Sequence, residues 1–379
     1  MATTWNRNRL TKKLGIEFPI IQGPFGGFAS QRLTAAVSNF GALGSLGASS
    51  LSAEAIQDAI AEVRALTSKP FAVNLWVSTE DAAARTSDEA AFNRSVATIA
   101  PLLDELGAPR PAYKPFPSAR FNEQVRVLLD AKVPVFSFIF GIPPKEVLDE
   151  CRAKKIVTIG AATTPEEARA LQDAGVDAIA ASGFEAGGHR GSFLRSAEES
   201  LTGTFSLVPQ VVDAVEVPVI AAGGIGDARG VIAAMVLGAE AVQMGTAFLA
   251  HEGSGASRLH REALLGKKAG RTGLTKGFSG RLARGIRNRL MEELNRPGAE
   301  TLPYPLQRGL IRNVSIAAEA AGRADLVPMW AGQSANLSAC TDVPEFLSEL
   351  VEEISEIAGA VAEWNGKRRA SSTQRHRVR

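Results

Sequence analysis

A short apolar run followed by an amphipathic stretch occurs eight times between residue 19 and about residue 250, a pattern that predicts alternating β-strands and α-helices. The predicted strands are PIIQGPF (19–25), ALGSLG (42–47), FAVNLW (71–76), VPVFSFIFG (133–141), KIVTIGAA (155–162), VDAIAASG (176–183), VPVIAAGG (217–224) and EAVQMGTAF (240–248). Such largely apolar strands suit a parallel sheet that helices cover, and eight units match the size of a (β/α)8 TIM barrel. We predict this α/β barrel, with a doubly wound open sheet as the alternative.

Two segments depart from the repeat. The third crossover, residues 78–131, is longer than one helix requires and predicts an extra helix and an irregular loop. Residues 256–340 lose the rhythm, and RTGLTKGFSGRLARGIRNRLMEEL (271–294) predicts a loop and then a helix, so we expect a small C-terminal helical lid domain there. The segment 343–366 predicts a terminal helix that returns to the barrel wall. The barrel domain therefore comprises residues 10–255 and 341–366, and the basic residues 367–379 predict a disordered tail.

Charge and composition give no indication of a polymeric partner. The 42 lysines and arginines nearly balance the 40 aspartates and glutamates, which argues against nucleic acid as a ligand. No apolar run approaches the roughly 18 residues that a membrane span needs. Because Cys151 and Cys340 are the only cysteines, we predict a protein of the reducing cytoplasm.

Glycines follow the seventh and eighth predicted strands, where (β/α)8 enzymes often bind phosphate. Gly223 and Gly224 allow backbone N–H groups to approach an anion beside a helix N-terminus. The run Gln243, Met244, Gly245 and Thr246 adds a second close backbone approach and a hydroxyl. We predict that the two loops hold one phosphate group; the alternative for each loop alone is an ordinary turn.

Neutral polar groups follow the first and third strands at the same end of the barrel. Gln22, Gly23 and Pro24 end the first strand, and Asn74 lies near the end of the third. Amide donors and acceptors suit a flat heteroaromatic ring with carbonyl and imide edges. The alternative for Asn74 is a cap of the next loop.

The loop SGFEAGGHRG (182–191), directly after the sixth strand, contains one histidine among glycines. His189 is a candidate acid–base residue because imidazole exchanges protons near neutral pH and the position lies at the catalytic end of the barrel. The alternative is a histidine that only binds neighbouring backbone. Glu185 and Arg190 beside it receive no assignment. The sequence contains no metal-ligand spacing, no GxSxG elbow and no cysteine at the barrel mouth. The hypothesis that remains is an organic cofactor anchored by its phosphate.

QGP (22–24), FAVNLW, EAGGHRG, AAGGIGD, QMGT and the late WAGQSA together resemble the nitronate monooxygenase family, formerly 2-nitropropane dioxygenases, over about residues 10–340. The resemblance implies non-covalent FMN and no metal, with His189 as the active-site histidine. The residues it implies for cofactor binding are Gln22, Gly23, Pro24, Asn74, Ser182, Gly187, Gly223, Gly224, Gln243, Met244, Gly245 and Thr246. Relatives with this loop usually have Gln where Ser182 stands, so either flavin affinity or substrate preference is expected to differ.

The same resemblance implies oxidation of alkyl nitronates, with propionate 3-nitronate the usual physiological substrate, by O2 to a carbonyl compound and nitrite. By the same resemblance, FMN is expected to take one electron from the nitronate and become a semiquinone, and O2 is expected to trap the substrate radical. His189 would orient the nitro oxygens, or remove the α-proton of a neutral nitroalkane. The oligomeric state is left open, with a homodimer as one possibility.

Three alternatives are retained. FMN- and NADH-dependent enoyl-acyl carrier protein reductases share a similar EAGGH loop and a late AGQ segment, and the arginines of RLARGIRNR (281–289) could receive an acidic carrier. A flavin-binding protein without turnover is the second alternative. A phosphate-sugar isomerase is the third.

Overall fold

Eight parallel strands close into a barrel in the computed structural model, which describes residues 5–28, 30–78, 81–113, 120–337 and 341–375, with side chains up to residue 363. In chain order the strands are β1 (Ile20–Gln22), β2 (Gly44–Gly47), β3 (Phe71–Trp76), β4 (Val135–Ile139), β5 (Val157–Ala162), β6 (Ala178–Ser182), β7 (Gly188–His189), β8 (Val219–Ala222), β9 (Ala241–Met244), β10 (Thr272–Thr275) and β11 (Ala283–Ile286). The barrel order is β1-β9-β8-β6-β5-β4-β3-β2. A parallel bridge between Ile21 and Leu43 joins the two end strands. The predicted barrel is confirmed and the open sheet is excluded.

Helices follow the strands. They are α1 (Arg9–Leu14), α2 (Gln31–Phe40), α3 (Ala53–Leu66), α4 (Glu89–Glu105), α5 (Phe121–Ala131), α6 (Lys145–Ala153), α7 (Pro165–Asp173), α8 (Thr204–Ala214), α9 (Ala228–Val236), α10 (Thr246–Leu249), α11 (Arg258–Leu265), α12 (Arg289–Asn295), α13 (Leu306–Ala320) and α14 (Val343–Arg375). Short 3-10 turns occupy 82–86, 198–200, 324–326 and 335–337. The extra helix predicted in the third crossover is α4; residues 114–119 of its Pro-rich loop lie outside the described residues.

Strand alternation divides the barrel interior into layers. The lower interior is apolar, with Ile21, Ala72 and Ile220 among its residues, and Leu10 and Leu14 of α1 pack against it. Two positions further along each strand, the interior becomes small or polar, because side chains on one face recur every second residue. This upper layer consists of Asn74, Ser137, Ala161, Ser182, Ala222 and Gln243. It forms a floor at the carboxyl end of the strands.

A second apolar cluster lies beyond this end of the barrel. Its residues come from α11, α12 and α13, and also from α4, which contributes Ile99, Leu102 and Leu103. The segment 271–294, expected to be a loop and then a helix, contains β10 and β11 before α12. These two strands and β7 form a three-stranded antiparallel sheet in which Ala283 pairs with His189. Gly273 interrupts β10, and Arg284 and Gly285 interrupt β11, so no apolar alternation marked these strands in the sequence. We call residues 256–337, which contain β10, β11 and most of the second cluster, the lid.

The terminal helix α14 packs on the barrel wall as predicted, with Phe346, Leu347, Leu350 and Ile354 in the barrel cluster. The tail differs from the expectation of disorder from residue 367, since the backbone of α14 continues to Arg375. Lysine, arginine, alanine and glutamine are good helix formers, which permits this continuation. Residues 376–379 and Cys340 lie outside the described residues. Among the helices described, none is long and apolar enough to cross a membrane.

Candidate active site

A cavity of about 1180 Å³ lies between the floor of the barrel and the lid. All of the predicted site residues line it except Gln22 and Met244. Those that do are Gly23, Pro24, Asn74, Ser182, Gly187, His189, Gly223, Gly224, Gln243, Gly245 and Thr246. The barrel topology brings them together because the carboxyl ends of parallel strands meet at one end of the barrel.

Gln22 and Met244 point away from the cavity. Met244 belongs to the cluster between strands and helices, and its neighbour Gln243 therefore faces the cavity. Gln22 is fully buried, and its Nε2 donates to the carbonyl of Ser45 at 2.9 Å. Their backbones still join the first and last barrel strands, because Gly23 N donates to Met244 O at 2.8 Å. A difference of one residue along a strand reverses the face to which a side chain points.

The floor offers polar groups among small side chains. Asn74 donates from Nδ2 to Ser137 Oγ at 3.0 Å, which leaves its carbonyl oxygen available to a ligand. The amide of Gln243 has no hydrogen-bond partner in the described part of the chain and lines the cavity. The alanines of the floor leave room above it. A flat ring with donors and acceptors on its edges fits these features.

The glycine loops form a cradle beside the floor. Gly223 and Gly224 have φ of 97° and 72°, and a Cβ at Gly223 would lie 2.9 Å from Gly183 O. Thr246 Oγ1 accepts from Gly332 N at 2.8 Å, so its proton is available to an anion in the cavity. Backbone amides and a hydroxyl without a neighbouring Cβ are suited to a phosphate group. The residues present therefore fit a nucleotide-type cofactor with its phosphate in the cradle.

His189 is fixed from one side and open on the other. Its backbone lies in β7, paired with β11 of the lid, and its Nε2 is 2.7 Å from the buried Ser279 Oγ. Nδ1 has no partner among the residues described, and the half-buried ring lines the cavity. If Ser279 donates to Nε2, Nδ1 carries the proton; if Ser279 accepts, Nδ1 presents its lone pair.

Four aromatic rings surround the imidazole. Their centroids lie 5.3 Å (Trp76), 6.1 Å (Phe140), 5.7 Å (Tyr304) and 5.3 Å (Trp330) from that of His189. Phe140 and Trp76 belong to the barrel, whereas Tyr304 and Trp330 belong to the lid. The ring of His189 is therefore clamped where barrel and lid meet.

Burial, reinforced by two nearby guanidinium groups, lowers the pKa of His189 from about 6.5 to about 3. The guanidinium groups belong to Arg308 and Arg281. Burial disfavours the charged imidazolium, and positive neighbours disfavour it further. His189 is therefore neutral over the physiological pH range and is a weak base.

The two arginines differ in their partners. Arg281 Nε donates to Asp81 Oδ1 at 2.8 Å, and its guanidinium lies 4.2 Å from the ring centroid of Phe140 and 4.7 Å from that of Tyr304. Arg308 lines the cavity, and none of the described carboxylates forms an ion pair with it. Arg281 thus connects the lid to the loop after β3. Arg308 donates a hydrogen bond to the Tyr304 side chain and presents to the cavity a positive charge that no described carboxylate pairs with.

Arg190 and Glu185, left unassigned in the sequence, hold the histidine loop in place. The buried Arg190 donates to the carbonyl oxygens of Ser182, Ser200 and Thr163, and burial lowers its pKa to about 10. The Glu185 carboxylate accepts from Thr204 N at 2.9 Å. These contacts fix both ends of the loop that carries His189, so the roles are structural.

Sequence reasoning missed the lid residues of the site. His260, 1% exposed, lies in α11; its Nε2 lies 2.9 Å from the carbonyl of Trp330, and burial lowers its pKa to about 4. Trp76 could have been found, since it lies two positions after Asn74 on the same strand face. Ser279, Tyr304 and the arginines had no local signal. His251 is buried against Phe248 and Phe346 and does not line the cavity.

Within the described ranges, no group of three or more His, Cys, Asp and Glu side chains could hold a metal ion. The cavity combines a glycine cradle, a small polar floor, a neutral histidine and an arginine without a described carboxylate partner. It can hold an organic cofactor and a small anion next to each other.

Comparison with known proteins agrees with this geometry. The model of the family "Nitronate monooxygenase" matches residues 7–353. A probable nitronate monooxygenase of Staphylococcus aureus (strain Newman) is 43% identical over 93% of this chain and 99% of its own. The solved nitroalkane oxidase of Streptomyces ansochromogenes superposes with a TM-score of 0.84 at 36% identity, covering 93% of this chain and all of the other. FabK of Thermotoga maritima gives 0.75 at 29% identity, covering 94% and 99%. This chain is a member of the nitronate monooxygenase family of oxidoreductases.

Proposed function

We propose that this protein binds FMN non-covalently and oxidises alkyl nitronates with O2 to a carbonyl compound and nitrite. In its simplest balanced form, two nitronate anions and one O2 give two carbonyl compounds and two nitrite ions. The observation that carries the proposal is the neutral His189, whose open Nδ1 shares the cavity with the glycine cradle and with Arg308, which has no described carboxylate partner. A nitronate is already an anion, so it requires a hydrogen-bond donor and positive charge instead of a strong base.

The fit to FMN rests on the cradle and the floor. Gly223, Gly224 and Thr246 would hold the phosphate, and Asn74 and Gln243 would contact the ring edges. Bound FMN would supply one-electron oxidation of the substrate. The short hydroxyl of Ser182 would reach the ring through water.

His189 and Ser279 would position the nitronate. When the Ser279 hydroxyl donates to Nε2, the proton is held on Nδ1 and donates to a nitronate oxygen. The opposite tautomer could accept the α-proton of a neutral nitroalkane. A pKa of about 3 makes this a slow reaction, because proton abstraction weakens as the base becomes weaker. Nitronates are therefore the better substrates.

Arg308 favours a substrate with a second negative charge. Propionate 3-nitronate carries a carboxylate as well as the nitronate group. A guanidinium without a carboxylate partner can bind either group with two hydrogen bonds.

The test is to purify the protein, record its visible spectrum, and add propionate 3-nitronate first without and then with O2. We expect bound FMN, a spectral change before O2 is admitted, and nitrite release after it. A flavin that ignores the nitronate but is bleached by NADH would assign the second candidate, an enoyl-acyl carrier protein reductase. Protein that cannot take up flavin would exclude both. The second candidate remains because the lining of the cavity continues beyond His189 along α13.

A further inference from the structure

The cavity extends beyond the barrel mouth along α13. Its lining includes positions from Leu306 to Glu319 of that helix, a length of about 20 Å at 1.5 Å per residue. Its volume of about 1180 Å³ includes the space proposed for the cofactor as well as the space beside the histidine. A small nitronate beside the cofactor would leave this extension unused.

The lining of the extension is mainly apolar where it leaves the histidine. Trp330, packed on His189, lies 5.3 Å from Phe278 between ring centroids. From there the wall continues with residues of the β1–α2 loop, α4 and α13. We define the apolar arm by six of these residues: Phe28, Phe92, Phe278, Leu306, Leu310 and Val327.

Charge is distributed unevenly along the cavity. In the described lining, the one carboxylate is Glu319, at the exposed far end of α13, and the arginines are Arg308 and the exposed Arg312. Arg308 lies close enough to His189 to lower its pKa. The cavity is therefore complementary to an anionic head beside the histidine with an apolar chain attached to it.

We propose that the apolar arm binds the alkyl chain of the substrate, so that, among simple alkyl nitronates that carry no second charge, the enzyme selects those with long alkyl substituents over short ones. The proposal rests on the nitronate oxidation proposed above. The head would lie beside His189 and Arg308, and the chain would pass Trp330 and Phe278 toward Phe92. Continuity with the histidine site, in one cavity, is the reason to assign the arm to the substrate.

Turnover of a chain-length series tests this selection. Nitronates prepared from nitroethane through 1-nitrohexane are compared by nitrite release with the FMN-loaded enzyme. We expect kcat/KM to rise about three- to fourfold for each added methylene, the value for burying one CH₂ group. A flat series would overturn the proposal while leaving nitronate oxidation intact.

A binding series separates this proposal from the activity itself. Linear carboxylates from propionate to octanoate resemble the nitronate head, and calorimetry measures their Kd on the loaded protein without turnover. Kd should fall with chain length in the same way. If no nitronate is oxidised but long carboxylates bind more tightly, the arm stands and the proposed function fails. If length changes neither turnover nor Kd, the arm fails.

Two substitutions locate the effect. Leu306→Asp places a charge in the arm at the first residue of α13, where an acidic side chain is compatible with the helix. Phe92→Ala removes one wall. Each should lower the ratio of hexyl to ethyl nitronate kcat/KM at least about tenfold. Phe205→Ala, a 74% exposed phenylalanine outside the cavity, should leave the ratio unchanged. The proposal would be contradicted if the ratio of hexyl to ethyl nitronate kcat/KM were the same in all three variants. It would also be contradicted if nitronate kcat/KM did not depend on chain length while NADH reduced an enoyl thioester.

Discussion

The floor of the cavity and the lid wall above it are built in different ways. Asn74 and Gln243 of the floor lie on barrel strands, whereas Ser279 and Trp330, which contact His189, come from the lid. Strand alternation alone determines which floor residues face the cavity. The wall depends on tertiary packing between distant segments. Under the proposed function, the floor and its cradle would bind the flavin, and the lid wall would bind and orient the substrate.

Replacing His189 should have the largest effect, because it should reduce turnover while leaving the flavin bound to the floor. His189→Phe keeps an aromatic ring among the four rings that surround this position but removes both ring nitrogens. Nitronate kcat/KM should therefore fall at least about 100-fold. His189→Asn, which can still donate a hydrogen bond, should recover part of this loss. Flavin content should stay near one per chain in both variants. A loss of flavin as large as the loss of turnover would show that wall and floor are not separate.

The sequence predicted the floor and not the wall for a physical reason. The apolar run FAVNLW predicted β3 to the residue, and the single polar side chain within it, Asn74, faces the cavity. His189 was found because its loop follows a barrel strand. Its partner Ser279 is 90 residues away in a hairpin whose glycines conceal the strands. No local periodicity encodes a contact of that kind.

A change in the cradle should affect flavin first. Gly223→Ala adds a Cβ at φ 97° that would lie 2.9 Å from Gly183 O and 3.0 Å from Ala186 N. We expect FMN affinity to fall at least about tenfold, with about 1–3 kcal/mol of destabilisation from backbone strain. Gly107→Ala is the matched control, since Gly107 also has positive φ (62°) but a Cβ there meets nothing within 4 Å. Equal flavin loss in both variants would assign the effect to strain alone.

Acid should weaken the lid wall through His260. Burial lowers the pKa of this imidazole from about 6.5 to about 4, so between these values the unfolded chain binds more protons than the folded one. Stability is therefore complete above about pH 6.5 and falls as pH decreases toward 4. At pH 5 the lowered pKa of His260 reduces the free energy of unfolding by about 2 kcal/mol relative to its value above pH 6.5.

The measurement is urea unfolding at pH 7.5 and pH 5 for the wild type and His260→Asn. The variant, which has no imidazole at this position, should lose less stability on acidification. His189 and His251, whose pKa values are also lowered, supply the slope that remains. Parallel curves for the two proteins would exclude His260 as the acid-sensitive group.

The smallest expected effect concerns the contact that joins lid and barrel. Arg281→Met removes the bond to Asp81 but keeps an apolar stem against Phe140 and Tyr304. The rings around His189 should become less well fixed, and KM for the nitronate should rise about fivefold. This corresponds to losing a partly buried charged hydrogen bond worth about 1 kcal/mol. Arg258→Met breaks an exposed pair with Glu262 and should change nothing. If Arg281→Met instead releases flavin, the contact between Arg281 and Asp81 stabilises the floor as well as the lid wall. The two parts of the cavity would then not act separately.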